Sequence, residues 1–359
     1  MIDQPSRRAV LTAAAALAAM PASAAEPSAW RKLATEPYKG KQDDIVFVDA
    51  LTGWYGNGAG KLYATTDGGE TWSLVFEKPG LFVRALGFAS RDVGYLGNVG
   101  VGYYPGVTDT APLYRTSDGG RTWTAITAPG IDKVAGICGI HVQPTKAIYQ
   151  GVLRDTHMVH AAGRVGGPAA LLRSLDGGET WTTIDLSAHA GMILDVRFFD
   201  AATGLVCAAT SADVAEARAL MLMTTDGGAT WKRVYEGARP LENCWKMSFP
   251  SRKIGYATVQ SYDDKNAERI FIKTTDGGRS WREHPLTEDA AAREFGIGFA
   301  TPKHGWIGTA KSGFETRDGG KTWTPVAFGR AVNKVRVVAR PDGGTRAFAI
   351  GVDVHRLDL

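Results

Sequence analysis

Short apolar runs broken by polar turns recur along most of the chain, too brief for helices and spaced as antiparallel strands are. One arrangement keeps returning: an apolar run ending in Phe, a polar turn, then Gly followed by an aromatic or aliphatic residue. It reads Phe47 with Gly53-Trp54, Phe88 with Gly94-Tyr95, Phe199 with Gly204-Leu205, Phe249 with Gly255-Tyr256 and Phe299 with Gly305-Trp306. Residues 137–153 hold a divergent copy, and residues 332–359 hold a last one. Each copy predicts two paired inner strands, a and b.

Most copies are followed by an octapeptide: TTDGGETW at 65–72, TSDGGRTW at 116–123, SLDGGETW at 174–181, TTDGGATW at 224–231, TTDGGRSW at 274–281 and TRDGGKTW at 316–323. Its aspartates, Asp67, Asp118, Asp176, Asp226, Asp276 and Asp318, are 51, 58, 50, 50 and 42 residues apart, room for about four strands per unit. The carboxylate can accept hydrogen bonds from turn amides, Gly-Gly permits left-handed backbone, and the Trp leads into a strand where its ring can be buried. Six near-copies at one place in six units mark a structural device. The alternating acidic ligands and terminal Glu of an EF-hand calcium loop are missing.

Repeated units of this size predict an all-β propeller with four-stranded antiparallel blades, strands c and d flanking the octapeptide. Seven blades follow, because the last unit has inner strands but no octapeptide. Trp30-Arg31-Lys32-Leu33, similar to Trp231-Lys232-Arg233-Val234, supplies its outer strand. The ring is thus closed by an N-terminal strand, which removes exposed sheet edges.

Composition adds little to this but narrows function. The 41 basic and 37 acidic side chains are scattered, not gathered into the basic stripe that nucleic acid requires. Arg7-Arg8 before the apolar run 9–20, with Ala22-Ser23-Ala24 after it, predicts a twin-arginine-type signal peptide over residues 1–25. Residues 26–359 then form one propeller domain in the periplasm. Cys138, Cys207 and Cys244 lie in apolar runs and read as buried thiols, without a C-x-x-C redox or metal spacing. No cofactor or metal is expected.

In such blades the d-to-a and b-to-c connections emerge on the face opposite the octapeptides. The long insertions, 99–112, 154–168, 211–218 and 261–268, are placed in b-to-c connections there. They bring Tyr103, Tyr104, Arg154, His157 and His160 to a common mouth, to which strand entrances add Arg84, Asp195, Trp245, Lys246, Arg293 and Lys334. Mixed charge with aromatic rings suits recognition. His157 and His160 have no third ligand fixed by spacing, and a solvated loop is expected. Trp245 alone among 10 tryptophans stands outside the repeated positions, as a binding anchor or as a plug of the channel.

The octapeptides resemble those of the BNR or Asp-box repeat superfamily, and the resemblance covers nearly all of residues 29–359. Seven blades, one domain, an export signal and a box in almost every blade are most similar to the photosystem II stability/assembly factor propellers of the Ycf/Hcf type. That resemblance implies a non-enzymatic protein that binds a protein partner, such as a membrane complex during assembly. The chain is expected to act as a monomer. Sialidases share the box, but their Arg-Ile-Pro element is missing here, and xyloglucan-cleaving relatives use two propellers. A glycan-binding or glycoside-hydrolysing protein remains the alternative. It would need two carboxyls about 5–10 Å apart, for which Asp195, Glu242, Asp263 and Glu294 are candidates.

Overall fold

The chain folds into seven four-stranded antiparallel sheets, seen in a computed structural model that describes residues 29–149 and 152–359. The expected signal peptide lies outside the described residues. Blade 1 runs outward from strand a (Gln42–Phe47) through b (Gly53–Asn57) and c (Lys61–Thr65) to d (Ser73–Glu77), and blades 2 to 6 repeat this order.

Sterics explain the Phe and Gly pattern. The Phe47 ring lies over Gly53, where a Cβ would come within 2.5 Å of it, and Phe88, Phe249 and Phe299 cover Gly94, Gly255 and Gly305 in the same way. The residue after the glycine then reaches the next blade. Trp54 stacks on Phe88 at 3.7 Å and Tyr256 on Phe299 at 3.7 Å; in blade 7, which lacks the glycine, Phe348 makes the corresponding stack on Phe47 of blade 1 at 3.8 Å. One motif therefore makes both the turn within a blade and the contact between blades.

The boxes are closed hydrogen-bond circuits. In blade 3 the Ser174 hydroxyl donates to Asp176 Oδ1 at 2.8 Å and accepts from the Gly178 amide, while the Thr180 amide and hydroxyl donate to the same carboxylate. Gly177 and Gly178 hold φ of +80° and +84°, a conformation a side chain would strain. The Trp181 indole donates to the Gly178 carbonyl at 3.1 Å.

Blade 7 consists of Lys334–Ala339, Thr345–Ile350, Val354–Asp358 and, as its outer strand, Arg31–Lys32 from the other end of the chain. Arg31 pairs with Arg356 and Lys32 with His355. Flanking side chains hold this short strand: Trp30 stacks on Phe328 at 4.9 Å and meets Trp306 edge-on, while Leu33 is 2% exposed among Ile45, Tyr55 and Phe348.

Blade 3 departs from the expected layout. Where blades 1, 2, 4 and 6 place Phe opposite Gly, in blade 4 through Phe198 and not the expected Phe199, it places Val142 opposite Val159, with no corner between its first two strands. Gly139–Tyr149 and Val152–Ala162 therefore run on as a hairpin well beyond the blade. Arg154, His157 and His160 belong to its second strand, not to a b-to-c loop.

Candidate functional site

Strand a carries an irregular register in blades 1, 2, 4, 5 and 6, at Gln42/Asp44, Val83/Ala85, Ile193/Asp195, Cys244/Met247 and Glu294/Ile297. A bulge re-aims side chains, here toward the channel axis. Arg84 forms an ion pair with Asp43, and Lys334 pairs with Asp44 while donating to the Arg84 carbonyl at 3.2 Å. Lys246 Nζ donates to the Leu194 and Cys138 carbonyls at 2.7 and 3.0 Å and lies 3.6 Å from Asp195. Burial draws the Lys334 ammonium down to about 7, against the attraction of Asp44. Charged side chains from five blades thus pair with one another around the channel axis, with Arg84 Nε and Asp43 Oδ2 left without a hydrogen-bond partner.

Trp245 lies over this plug. It is 4% exposed and packs with Val165, Met192, Leu194, Ala209 and Ala217, with the Arg84 guanidinium 5.4 Å from its ring. Of the two readings left open by the sequence, this geometry matches a packed plug.

Around the plug, the mouth has an accessible aromatic rim. Tyr104, 38% exposed, stacks on Phe82 at 4.9 Å and meets Tyr103 edge-on at 4.7 Å. Arg164 caps Tyr103 at 5.5 Å, Arg293 caps Tyr262 at 4.9 Å, and Lys41 sits 5.8 Å from Phe295. A cavity of about 330 Å³ opens between Tyr38, Lys41, Asp43, Phe82 and Tyr104. Cations over ring faces hold both flat and charged surface toward a ligand. Three non-glycine residues with positive φ, Leu241, Arg293 and Ala331, lie in the connections entering blades 5, 6 and 7 on this same face. Left-handed strain of that kind collects at binding sites.

The expected site residues therefore separate into three groups. Tyr103, Tyr104 and Arg293 form the rim. Arg84, Asp195, Trp245, Lys246 and Lys334 form the plug beneath it. Arg154, His157 and His160 are elsewhere: the His157 carbonyl accepts from Gly177 of a box, and its ring meets the Tyr95 hydroxyl at 2.7 Å, which puts it toward the box face. Arg154 lies farther out on the same strand. His160, fully buried and pushed down to about 3 by burial, stacks on Phe198 at 3.6 Å. It occupies the ring position that Trp54 holds in blade 1. Tyr38, Lys41, Asp43 and Phe82 were missed; a cation or acid just ahead of a bulged strand was the available signal.

The candidate carboxyls are mostly withdrawn. Asp195 accepts from the Met247 amide at 3.1 Å under Lys246, Glu242 is held by Arg239 at 2.8 Å, and Glu294 is fully buried and pushed up to about 8 by that burial. Among the described residues, no group of three His, Cys, Asp or Glu side chains is placed to hold a metal.

Residues 63–74 match the BNR/Asp-box repeat model. A xyloglucanase of Paenibacillus sp is 29% identical over 238 residues, 56% of this chain and 20% of that protein. The chain thus spans only a small part of the length of the curated relatives it matches. Among solved structures, "YCF48 bound to D1 peptide" superposes with a TM-score of 0.60 at 19% identity, covering 94% of this chain and 97% of that one. The GH74 xyloglucanase from Xanthomonas campestris gives 0.60 at 16% identity, covering 90% of this chain and 52% of that one. The chain is a seven-bladed propeller in which residues 63–74 match the BNR/Asp-box repeat, with the fold shared by YCF48 and the GH74 propellers.

Proposed function

We propose that this protein is an exported, monomeric, non-catalytic propeller that binds a segment of a protein partner at its mouth, the partner belonging to a membrane complex during assembly. The observation that carries this is the rim: Tyr104 and Tyr103, with Arg164 and Arg293 over neighbouring rings, surround a channel in which Arg84, Lys334 and Lys246 are paired with Asp43, Asp44 and Asp195. Rigid amphipathic rings with cations beside them are common anchors in protein interfaces. The likeness to YCF48, named as bound to a D1 peptide, supports the reading because it extends over nearly the whole of both chains.

The xyloglucanase similarity favours a second reading, a glycan-binding or glycan-cleaving mouth. Against catalysis stand the buried or ion-paired positions of Asp195, Glu242 and Glu294. Solubilised membrane proteins from the source cells, passed over immobilised protein and over its Tyr104→Ser variant, test the proposal. A protein retained by the first and lost by the second is expected. Equal retention by both, or turnover of xyloglucan oligosaccharides by the purified protein, would overturn it.

A further inference from the structure

A cavity of about 410 Å³ opens between the inner strands of blades 3 and 4 and the a-to-b turn of blade 5. That turn belongs to the box face, where the Lys253 carbonyl accepts from the Gly277 amide of the blade 5 box at 2.8 Å. Two rings make the apolar wall: Phe199 and Phe249 meet edge-on with centres 4.9 Å apart. His141 and Gln143 of blade 3, Arg197 of blade 4, and Ser251 and Arg252 of blade 5 supply the polar groups.

Both guanidiniums lie against Phe199, Arg252 at 3.9 Å from the ring centre and Arg197 at 5.8 Å. Among the described residues neither forms an ion pair, and the Arg197 Nε is buried without a hydrogen-bond partner. The acids whose charges reach them are committed elsewhere. Asp195 accepts from the Met247 amide and lies 3.6 Å from Lys246, while Asp200 accepts from the Ala202 and Thr203 amides at 2.9 and 2.6 Å. Burial works against the Arg197 charge and draws its pKa below the usual arginine range. A withdrawn cation without a counter-ion is costly, and in a cavity it marks a place for an anion.

The other polar groups fix what that anion must carry. The Gln143 amide nitrogen donates to the Phe199 carbonyl at 2.7 Å, which leaves its Oε1 buried with no donor. A carboxylate against that oxygen would be repelled, whereas a hydroxyl would satisfy it. His141 Nδ1 accepts from the Phe198 amide at 3.3 Å, so its proton sits on Nε2, and the Ser251 hydroxyl accepts from the Ile254 amide at 3.0 Å, which leaves its own proton to donate. Burial holds the His141 imidazole well below its usual range, so the arginines, and not the histidine, carry the unpaired charge here.

We propose that this cavity binds a small hydroxylated dicarboxylate. One carboxylate meets Arg197 inside, the second meets Arg252 at the exposed edge, the carbon chain between them lies on Phe199 and Phe249, and the hydroxyl donates to Gln143 Oε1. Two guanidiniums against one ring select this ligand, because a monocarboxylate would leave one cation unpaired and inorganic phosphate would have no apolar span for the rings. The cavity lies on the face away from Tyr104 and stands independently of the partner proposed for the mouth.

Isothermal titration calorimetry of the purified protein with malate and 2-hydroxyglutarate, beside succinate, 3-hydroxybutyrate and inorganic phosphate, tests this. Saturable binding of at least one hydroxylated dicarboxylate is expected, about tenfold or more tighter than any of the three controls. Arg197→Gln and Arg252→Gln should each weaken it about tenfold or more. Arg252 is exposed, so its variant keeps the test decisive where the change at Arg197 lowers the melting temperature. Tyr104→Ser should leave binding unchanged. Absence of saturation, a control bound as tightly as the hydroxylated dicarboxylates, full affinity in Arg252→Gln, or loss through Tyr104→Ser would overturn the proposal. A mouth that fails to bind a partner would leave these readouts untouched.

Discussion

Removing residues 29–33 should open the ring, and the structure sets the scale of the loss. Leu33 is 2% exposed in a cluster shared by blades 7 and 1, and its truncation to Ala alone should cost about 2–5 kcal/mol. Trp30 adds ring contacts to Phe328 and Trp306, each worth about 0.5–1.5 kcal/mol beyond its buried area. The deletion also frees the edge of Val354–Asp358, including the Val354 carbonyl that accepts from the Leu33 amide at 2.8 Å. The sum, about 4 kcal/mol or more, is a large share of the roughly 5–15 kcal/mol available to a folded domain. A fall in melting temperature of about 10 °C is expected by differential scanning calorimetry. Exposed backbone at the freed edge should also raise the tendency to associate, readable by light scattering. A deletion variant that melts with the full-length chain and stays monodisperse would refute the closure argument, because no other strand among the described residues covers that edge.

Asp176→Ala should lower stability by about 1–3 kcal/mol through the amides and hydroxyls it leaves without an acceptor, with partner affinity per folded molecule unchanged; denaturant titration and binding on one sample check both. Hydrogen bonds from the hydroxyls of Thr122 and Thr230 hold Asp118 and Asp226 down at about 2, below the unfolded value near 3.9. Their contribution is therefore complete above about pH 4 and is lost as pH falls toward about 2, so the urea midpoint should decline across that window; a flat midpoint there would contradict the circuits. Trp245→Ala should act on the fold, costing about 3–5 kcal/mol through the cavity left among Met192, Leu194 and Ala217. A normal melt with weakened partner binding would return Trp245 to the rim.

The parts of this fold that were legible in the sequence depend on local geometry. Each box completes its circuit within eight residues, so Thr65, Asp67 and Thr71 display the motif with no knowledge of the rest of the chain. The Phe and Gly corner is equally local, which is why the inner strands could be placed and seven blades counted. His160 misled because its partner, Phe198, comes from the next blade, and because Val159-His160 stands where other blades have Gly and a ring. The length of the blade 3 hairpin was hidden for the same reason: a missing corner has no motif of its own. Trp245 was visible as an exception, but its burial depends on Val165, Met192 and Ala217 from separate segments. The rim at Tyr38 and Lys41 follows the closing strand in irregular chain, where no repeat marked it.

The account stands most directly on what touches the mouth. A photo-crosslinking amino acid placed at Tyr104, with a control at Lys321 on a box of blade 6, can be irradiated in the source cells and the products identified by mass spectrometry. The account predicts one defined protein segment joined at position 104 and absent from position 321. Crosslinks to glycan, or the same proteins captured from both positions, would contradict it.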